Sequence, residues 1–481
     1  MKKKTKKRIL VIISILIVII LYLAVGTMAP FVKYKKLSEE SLQWKAEQVF
    51  DESKDYGDRA KLVESNLSAW EERIRMLSLA KERIIFVTFD MRDGESTTDI
   101  LSMLLHKAQE GVEVSILIDG FNGYKNLKGN ALYQAVASHP NVTSKLYNTP
   151  NVLLPWKWQG RMHDKYIIID NMLYMLGGRN TFEYFISKKE TYSYDREVLV
   201  YNADYQKEDN EKEEKSSLYT LLNYFETIYE GDLCKSFEDK ETYAKRKRVK
   251  KEITRLEERY ETLKNDYAYL FEEYNYQEHT HETEGVALLS NPTHIYGKEP
   301  IAFRQVTEMI KLAKERAIIH TPYIVCNEYM YDVVEELAQT VNCYTLINSV
   351  ANGDNIVASS DYMKNKGRLI ETGMTIYEFE GGKSSHGKSV LIDSDISIIG
   401  SLNWDLRSVY MDTELMIAVK SKGLNEDLFR EMQVFKDNSR KVISENEYET
   451  PEDVTPVEME KTKRMVVKLL GVVLGKFRFL I

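Results

Sequence analysis

Two copies of one polar motif contain residue types that could do chemistry on a phosphate ester. Each copy fits the pattern H-x-K-x4-D-x6-G-[GS]-x-N, with identical spacing. The motif residues are His163, Lys165, Asp170, Gly178 and Asn180 in the first copy, and His386, Lys388, Asp393, Ser401 and Asn403 in the second. A single H-x-K arises by chance in a long chain, but two eighteen-residue copies with the same spacing do not.

If the fold brings the two copies together, two imidazoles, two lysines and two asparagines would surround one anion site. One imidazole can attack phosphorus, while the other protonates the leaving alcohol and later deprotonates the incoming one. The lysines, Asn180 and Asn403 would stabilise charge on the phosphate oxygens, supported by Gly178 and Ser401. The set contains no carboxylate cluster suited to a metal, so we expect phosphoryl transfer without a metal or another cofactor.

The geometry of each motif follows from the alternation of side chains along a strand. Residues two apart share one face, so His163 and Lys165 should point the same way, and the second copy should behave alike. The glycine at the end of the next strand lets the backbone approach a ligand closely. Asp170 and Asp393 complete the two catalytic motifs, and we expect them to hold the strand-to-turn geometry rather than to touch substrate.

A reacting imidazole needs an acceptor that orients its other ring nitrogen. Glu197 and Glu414 are the matching candidates, because each stands just before the strand that closes its unit. Asp195 and Asp412, two residues earlier in each copy, are the second choice.

The elements that must position these residues also occur twice. The string Leu-Ala-Lys-Glu-Arg is found at 79–83 and at 312–316, each time between an amphipathic helical pattern and a β-type run. Repetition of several strings in the same order indicates an internal duplication. Helices that alternate with apolar strands predict two pseudo-symmetric α/β sandwich domains, over residues 59–203 and 285–430.

The two units contain matching predicted elements. In the first, the pattern predicts a helix over 100–109 and strands over 112–118, 167–170, 174–176 and 197–201. In the second, it predicts a helix over 331–339 and strands over 343–347, 390–392, 396–399 and 415–419.

Residues 204–284, between the two units, have a different composition. Residues 207–215 are almost all charged, and 241–273 reads as one long charged helix. Apolar residues recur within it at steps of four and three, which forms a narrow seam. We predict a charged helical insertion that lies on the body.

The N-terminal residues indicate a membrane protein. Residues 9–29 form an apolar run long enough to cross the hydrocarbon core as one helix. A cleaved signal peptide is the alternative, but the run is long for one, and cleavage after Ala29 would leave Pro30 at the new terminus. Six basic residues in the tip 1–8, against three just after the run in the linker 30–58, predict a cytoplasmic N-terminus and an extracytoplasmic body on the cell membrane.

Residues 461–481 follow a polar linker predicted at 431–460 and are too charged to span a membrane. The basic residues that share one helical face are Lys461, Arg464, Lys468 and Lys476. The opposite face is apolar, so the tail is expected to form a basic amphipathic helix. It could rest on an anionic bilayer or pack on the body, and the sequence leaves both open.

The net charge of −8 conceals an acidic body between two basic ends. Residues 37–460 hold 51 basic and 74 acidic residues, a net charge of −23. So acidic a body argues against a nucleic-acid partner, whose phosphates must be neutralised. The three cysteines have no zinc-ligand spacing and are too few for a disulfide-stapled scaffold.

The doubled motif resembles the signature of the phospholipase D superfamily, over roughly residues 60–200 and 285–420. Within that superfamily the sequence is most similar to bacterial cardiolipin synthases and related phosphatidyltransferases. The strings that carry this likeness are Gly177-Gly178-Arg179-Asn180, Glu183-Tyr184-Phe185, Thr321-Pro322-Tyr323, Ile347-Asn348-Ser349, Ile376-Tyr377-Glu378 and Asn403-Trp404-Asp405-Leu406-Arg407-Ser408.

The resemblance implies a metal-independent, two-step reaction through a phosphatidyl-histidine, with His163 as the nucleophile and His386 as the acid and base. Two phosphatidylglycerol molecules would give cardiolipin and glycerol, so membrane phospholipids are the expected partners. The sequence departs from many bacterial cardiolipin synthases in its one N-terminal span, where they have two, and in its insertion at 204–284.

Three other functions stay open. A phospholipase D-type lipid hydrolase would differ only in using water as the acceptor. A membrane-bound phosphodiesterase or nuclease shares the chemistry, but the acidic body and the lack of a basic-aromatic groove disfavour it. A non-enzymatic scaffold is disfavoured because both copies keep every motif residue. The oligomeric state is open as well.

Overall fold

Two mixed β-sheets form the centre of the computed structural model, which describes residues 2–50, 57–189, 192–205, 216–237 and 240–481. The strands of the first sheet, in spatial order, are His281–Glu282, Asp58–Val63, Glu197–Asn202, Leu173–Gly177, Tyr166–Ile169, Arg83–Thr88, Glu113–Asp119, Val142–Tyr147 and Cys234–Ser236. Those of the second are Gly285–Ser290, Leu415–Lys420, Ile396–Gly400, Ser389–Ile392, Ala317–His320, Cys343–Asn348, Thr375–Phe379, Ser439–Val442 and Tyr448–Glu449. The charged run predicted at 207–215 lies outside the described residues, as does part of the linker predicted at 30–58.

The helices lie around these sheets. They are Lys2–Met28, Glu39–Gln43, Asn66–Leu79, Glu95–Gln109, Gly120–Asn126, Ala131–Ala137, Ser217–Tyr229, Lys240–Ala244, Lys247–Asp266, Ile301–Ile310, Glu328–Ala338, Ile356–Glu371, Leu406–Tyr410, Lys422–Asp437 and Lys461–Val473. Single 3₁₀ turns occur at Ala29–Phe31, Ala46–Gln48, Pro155–Lys157, Ala268–Leu270, Leu474–Lys476 and Arg478–Leu480.

The two sheets share one topology. In each, three consecutive strands run parallel, and the remaining pairs are antiparallel. The parallel strands are Arg83–Thr88, Glu113–Asp119 and Val142–Tyr147 in the first sheet, and Ala317–His320, Cys343–Asn348 and Thr375–Phe379 in the second. This agreement confirms the prediction of two pseudo-symmetric α/β domains.

Alternate residues of the central strands enter different cores. Phe86 packs among the outer helices of the first half, while Ile85 and Val87 belong to a core shared by both halves. In the second half, Ile319 packs in the outer core of that half, while Ile318 belongs to the shared core. The strands are therefore buried on both faces, and the inner faces of the two sheets form one continuous hydrophobic core.

The aspartates of the two motifs hold the repeated Leu-Ala-Lys-Glu-Arg strings. The carboxylate of Asp170 accepts hydrogen bonds from the backbone N–H groups of residues 81–83 at 2.8–3.0 Å. Asp393 accepts the equivalent bonds from residues 314–316 at 2.8–3.1 Å. Both aspartates have a left-handed backbone, with φ of 50° and 51°. These bonds fix the entry to a central strand and agree with the turn-holding role expected of both motif aspartates.

Two predicted domain boundaries fall inside the sheets. The strand Cys234–Ser236 pairs with Val142–Tyr147, so the first domain extends beyond residue 203. The segment predicted as a linker at 431–460 contains the end of one helix and the strands Ser439–Val442 and Tyr448–Glu449. Short polar edge strands carry little hydrophobic alternation, because one side of an edge strand faces water, and this is why the sequence pattern missed them.

The insertion packs on the outer helices of the first half. The region expected as one helix over 241–273 is broken into Lys240–Ala244, Lys247–Asp266 and the turn Ala268–Leu270. Its seam is buried through Val249, Leu256, Tyr260, Leu263 and Leu270. Arg259 also reaches the buried Asp99, with 2.5 Å between Nε and Oδ1. These contacts place the insertion on the body, as the seam predicted.

The two ends of the chain differ in their packing. The helix Lys2–Met28 exposes its apolar residues, and within the described residues it is the one helix long and apolar enough to cross a membrane. The helix Lys461–Val473 packs on Ile356–Glu371 with Val467 and Gly471 buried. Of the two alternatives for the tail, packing on the body is therefore observed. The apolar residues on the outward face of this helix remain exposed; they are Met465, Leu469, Val472 and Val473.

The anchoring role of the motif aspartates can be tested in the second half. Asp393→Ala removes the acceptor of three backbone N–H groups and places alanine in a left-handed backbone, so we expect the free energy of unfolding to fall by about 2 kcal/mol. Asp393→Asn should cost less, because asparagine tolerates that conformation. Urea unfolding with Asp332→Ala as an exposed control measures both. An unchanged free energy of unfolding would return Asp393 to the residues that act on substrate.

Candidate active site

Each motif segment is joined to the other half of the molecule. Met162, next to His163, forms a parallel β-bridge with Thr413. In the mirror arrangement, Ser384–Ser385 pairs in parallel with Ser193–Tyr194. The motif of one half therefore lies beside the segment that precedes the closing strand of the other half.

This exchange gives each histidine a carboxylate from the opposite half. Nδ1 of His163 lies 2.9 Å from Oε1 of Glu414. Nδ1 of His386 lies 2.7 Å from Oδ2 of Asp195. All four side chains are buried or nearly so. Such a bond fixes the ring orientation and leaves Nε2 directed away from the carboxylate.

The sequence pattern predicted one of the two orienting residues. Glu414 is in place, but Glu197 forms a two-pronged ion pair with Arg73 at 2.7 and 2.8 Å and does not reach a histidine. The prediction for Glu197 is therefore wrong, and the second choice, Asp195, takes its position. Asp412, the other second choice, pairs with Arg407 at 3.1 Å.

A difference between two equivalent residues explains this asymmetry. Gly178 lies against Asp195, and a Cβ added there would come within 2.5 Å of Oδ1 of that carboxylate. The equivalent residue in the second half, Ser401, has a Cβ, and its hydroxyl donates a hydrogen bond to Glu414. Glycine thus leaves room for the shorter acid in the first half, while serine positions the longer one in the second.

The motif lysines are buried within the same site. Each lysine stands one residue, and each histidine three residues, before the strands Tyr166–Ile169 and Ser389–Ile392, so the prediction that the pairs lie within a strand is wrong. Nζ of Lys165 donates to the carbonyl oxygen of His163, and Nζ of Lys388 donates to that of His386 and lies 2.6 Å from its Nδ1. Burial lowers the pKa of Lys165 to about 7 and that of Lys388 to about 8.

The two imidazoles are both held toward the neutral form. Burial, followed by the charges of Lys165 and Lys388, lowers the pKa of His163 well below 6.5. Burial and Lys388 also lower the pKa of His386, but Asp195 opposes them. Burial alone would raise the pKa of Asp195, yet Lys388 and His386 outweigh it and lower that pKa, so Asp195 is ionised. Of the two histidines, His386 therefore has the better-stabilised cation.

Asn180 and Asn403 are buried beside the histidines. The side-chain oxygen of each is without a hydrogen-bond partner among the described residues. Buried polar groups are nearly always paired, so each unpartnered oxygen is suited to accept a hydrogen bond from a donor on a ligand, such as a hydroxyl. Support of a phosphate would come from the amide N–H groups and stays a prediction.

Several residues of the site were not predicted. Thr413 accepts the backbone N–H of His163 and donates to the buried Asp164 at 2.8 Å. The rings of Phe89 and Phe185 lie 4.8 Å from the imidazoles of His163 and His386, respectively. These contacts join distant parts of the chain, and no spacing in the sequence marks them. Among the residues that the structure describes, no group of three or more His, Cys, Asp or Glu side chains is arranged to hold a metal ion.

Two α/β domains that each contribute a His-Lys-Asp motif to one site define the phospholipase D-like class of proteins. A family model described as the phospholipase D-like domain of cardiolipin synthase matches residues 74–206 and 306–435, more than half of the chain. The chain belongs to this family of phospholipid-modifying enzymes.

Comparisons with individual proteins agree with this assignment. An uncharacterised protein of Helicobacter pylori is 25% identical over 393 residues, which cover 73% of this chain and 74% of that protein. Cardiolipin synthase A of Escherichia coli K12 is 34% identical over 118 residues, 24% of each chain. The crystal structure of phosphatidylserine synthase from Haemophilus influenzae has the same fold, with a TM-score of 0.63, 14% identity and coverage of 92% of this chain and 100% of that one.

The orienting roles of the two acids can be separated from the structural role of Glu197. Glu414→Gln and Asp195→Asn should each lower phosphodiester turnover by about 100-fold, because the imidazole loses its oriented, charge-stabilised form. The measurement is the pH profile of kcat, which both variants should shift. Glu197→Gln is the matched control and should lower the unfolding temperature while leaving the profile in place. A shift with Glu197→Gln alone would contradict the observed pairing.

The lowered pKa of His163 predicts where the pH profile falls on its acid side. The role of nucleophile predicted for His163 requires the neutral imidazole, and a lowered pKa keeps that form present to lower pH. The acid limb of the first chemical step should therefore fall below 6.5, the ordinary histidine value. Lys165→Met removes a nearby positive charge, so it should slow the step and move the acid limb to higher pH. A limb that moves to lower pH would contradict this account.

Proposed function

We propose that the protein is a membrane-anchored phosphatidyltransferase that makes cardiolipin and glycerol from two molecules of phosphatidylglycerol. The observation that carries the proposal is the pair of buried imidazoles, each bound through Nδ1 to a carboxylate of the opposite half. Within the described residues, no hydrogen bond is made by Nε2 of His163 or of His386. Two reactive nitrogens in one site fit a reaction with a covalent intermediate and a separate proton carrier.

His163 is the proposed nucleophile. With its Nδ1–H donated to Glu414, the lone pair of Nε2 is free to attack the phosphorus of the first lipid. A P–N bond forms, the P–O bond to glycerol breaks, and the glycerol oxygen takes a proton from His386. The strongly lowered pKa of His163 favours the neutral form that this step requires.

His386 is the proposed acid and base. The ionised Asp195 stabilises the imidazolium of His386, so this ring can carry the proton that glycerol receives. In the second step the neutral ring removes a proton from the hydroxyl of another phosphatidylglycerol. That oxygen attacks phosphorus, the P–N bond breaks, and His163 is regenerated as cardiolipin leaves.

The remaining polar groups would stabilise the charge that develops on phosphorus. Lys165 and Lys388 supply positive charge beside the two histidines, and Asn180 and Asn403 supply amide groups. Groups held in place before the reaction act without reorganising, which makes them effective at a developing anion. The proposed reaction uses neither a metal nor another cofactor.

The proposed location is the cell membrane, with one span at 9–29, a cytoplasmic N-terminus and the catalytic body outside. The helix Lys2–Met28 supports the anchor, and the excess of basic residues before it supports the orientation. Membrane phospholipids are the proposed partners, and nucleic acid is not among them. The similarity to cardiolipin synthase A supports the choice of lipid substrate.

The lipid reaction can be tested with the purified full-length chain and phosphatidylglycerol in detergent. We expect cardiolipin and glycerol in equal amounts, identified by mass spectrometry, because the second lipid hydroxyl is the acceptor. Phosphatidic acid as the sole lipid product would replace the proposal with a phospholipase D-type hydrolase. Cleavage of DNA without reaction of the lipid would replace it with a nuclease.

The two histidine roles predict different fates of the intermediate. His163→Ala should abolish a lipid–protein adduct trapped by rapid acid quenching, because no nucleophile remains. His386→Asn should slow both steps and leave a detectable adduct, because the acceptor hydroxyl keeps its proton. His279→Ala, an exposed histidine of the insertion, is the matched control and should behave as wild type. An adduct in His163→Ala that is absent in His386→Asn would reverse the two roles.

A further inference from the structure

We infer that the segment Asn151–Trp158, here called the 151–158 loop, inserts into the lipid bilayer beside the N-terminal helix and holds the active site close to the lipid headgroups. The inference rests on the proposed membrane anchor. It concerns a surface outside the two motifs, and its partner is the bilayer itself.

The tip of the loop exposes large apolar side chains. Leu153 is 72% exposed and Val152 is 65% exposed. Trp156 and Trp158 follow within the same loop and are half-buried. An exposed apolar tip next to tryptophans is the composition found where proteins enter the membrane interface.

The loop is attached to the anchor helix. The Tyr22 hydroxyl donates a hydrogen bond to the carbonyl oxygen of Leu153 at 2.9 Å. Four residues later, Gly26 lies against Pro155, and a Cβ at Gly26 would come within 2.5 Å of that ring. Glycine thus allows the loop to sit directly on the helix. The two contacts span one helical turn and fix the depth of the loop relative to the anchor.

That depth lies within the apolar run. Tyr22 stands seven residues before Ala29, the end of the run, which is about 10 Å along a helix. The hydrocarbon core is about 30 Å thick, so the tip of the loop would lie in the outer third of the core. Leu21 and Val25, which flank the contact on the helix, are exposed as well. Helix and loop together present one apolar surface to lipid.

Several backbone groups at the tip of the loop are hydrogen-bonded within the protein. Unpaired backbone groups are costly in hydrocarbon. Here the N–H of Leu153 donates to the side-chain oxygen of Asn151, and that of Leu154 donates to its backbone oxygen, both at 2.9 Å. The Leu153 carbonyl is satisfied by Tyr22.

The base of the loop is held rigidly to the site. The Asn148 amide donates to the carbonyl oxygens of Lys157 and Gly160 at 2.6 and 2.8 Å. Arg407 binds both the side chain and the carbonyl oxygen of Gln159, at 2.9 and 2.7 Å. His163 stands five positions after Trp158, a span of at most about 18 Å. A phosphate in the same leaflet would therefore lie close to the nucleophile.

Native tryptophans allow a direct test of insertion that does not depend on activity. The full chain is reconstituted into vesicles with lipids brominated on their acyl chains, which quench nearby tryptophans. We expect quenching in wild type that falls clearly in Trp156→Phe and Trp158→Phe. Trp70 and Trp404 are buried, and Trp44→Phe serves as the matched control that keeps the quenching. Equal quenching in wild type and in both loop variants would overturn the inference.

A second test asks whether insertion matters for access to lipid. The double variant Val152→Asp/Leu153→Asp changes only exposed side chains, so the fold should be retained. We expect its rate on bilayer phosphatidylglycerol to fall by about tenfold or more, because carboxylates are costly in hydrocarbon. Its rate on monomeric short-chain phosphatidylglycerol should stay within about twofold of wild type.

The control double variant Val341→Asp/Leu312→Asp makes the same change at exposed positions of the second half, and both rates should be retained. If Val152→Asp/Leu153→Asp lowers the rate equally on both substrates, or leaves the rate on bilayers unchanged, the role of the loop is contradicted. If the wild-type protein is inactive on both lipids but its loop tryptophans are quenched, the proposed function is wrong and the insertion of the loop is supported.

Discussion

The rest of the site depends on the two bonds that cross between the halves, Glu414 to His163 and Asp195 to His386. A buried carboxylate without a partner costs several kcal/mol, so once docking of the halves excludes water, each acid must be paired with the histidine of the opposite half. The shared hydrophobic core holds the inner faces of the sheets together and keeps both bonds out of water. Docking of the halves and assembly of the site are therefore one event.

The fold is symmetric, but the charges in the site are not. Gly178 and Ser401 occupy equivalent positions in the two halves, yet they favour acids of different length. Asp195 stands two residues before its closing strand, whereas Glu414 stands one residue before. The consequence is one histidine strongly held in the neutral form and one whose cation is stabilised by an ionised aspartate. A reaction with a nucleophile and a separate proton carrier needs two histidines that differ in this way. In a duplicated chain, the change between glycine and serine at one position can supply that difference.

Three chain segments meet at the short helix Leu406–Tyr410. Arg407 binds Gln159, the residue directly after the 151–158 loop, and its backbone N–H donates to the carbonyl oxygen of Ile481. Tyr34, just after the anchor helix, packs its ring on Tyr410. The N-terminal helix, the loop and the tail thus converge directly after the second motif, which joins the helix and the loop proposed to enter the membrane to the residues proposed to react.

The sequence by itself determined the duplication, the strand and helix order, the anchor helix and the motif residues, because spacing and hydrophobic periodicity are local properties. It also predicted that Asp170 and Asp393 hold a turn, which the bonds to residues 81–83 and 314–316 agree with. Only the tertiary structure decided which acid faces which histidine, that Glu197 belongs to Arg73, and that short polar edge strands lengthen both sheets. The two acid–histidine pairs and the pair of Glu197 with Arg73 join residues 124 to 251 positions apart, and at Gly178 the space for a Cβ decides which acid fits, so no spacing along the chain records these contacts.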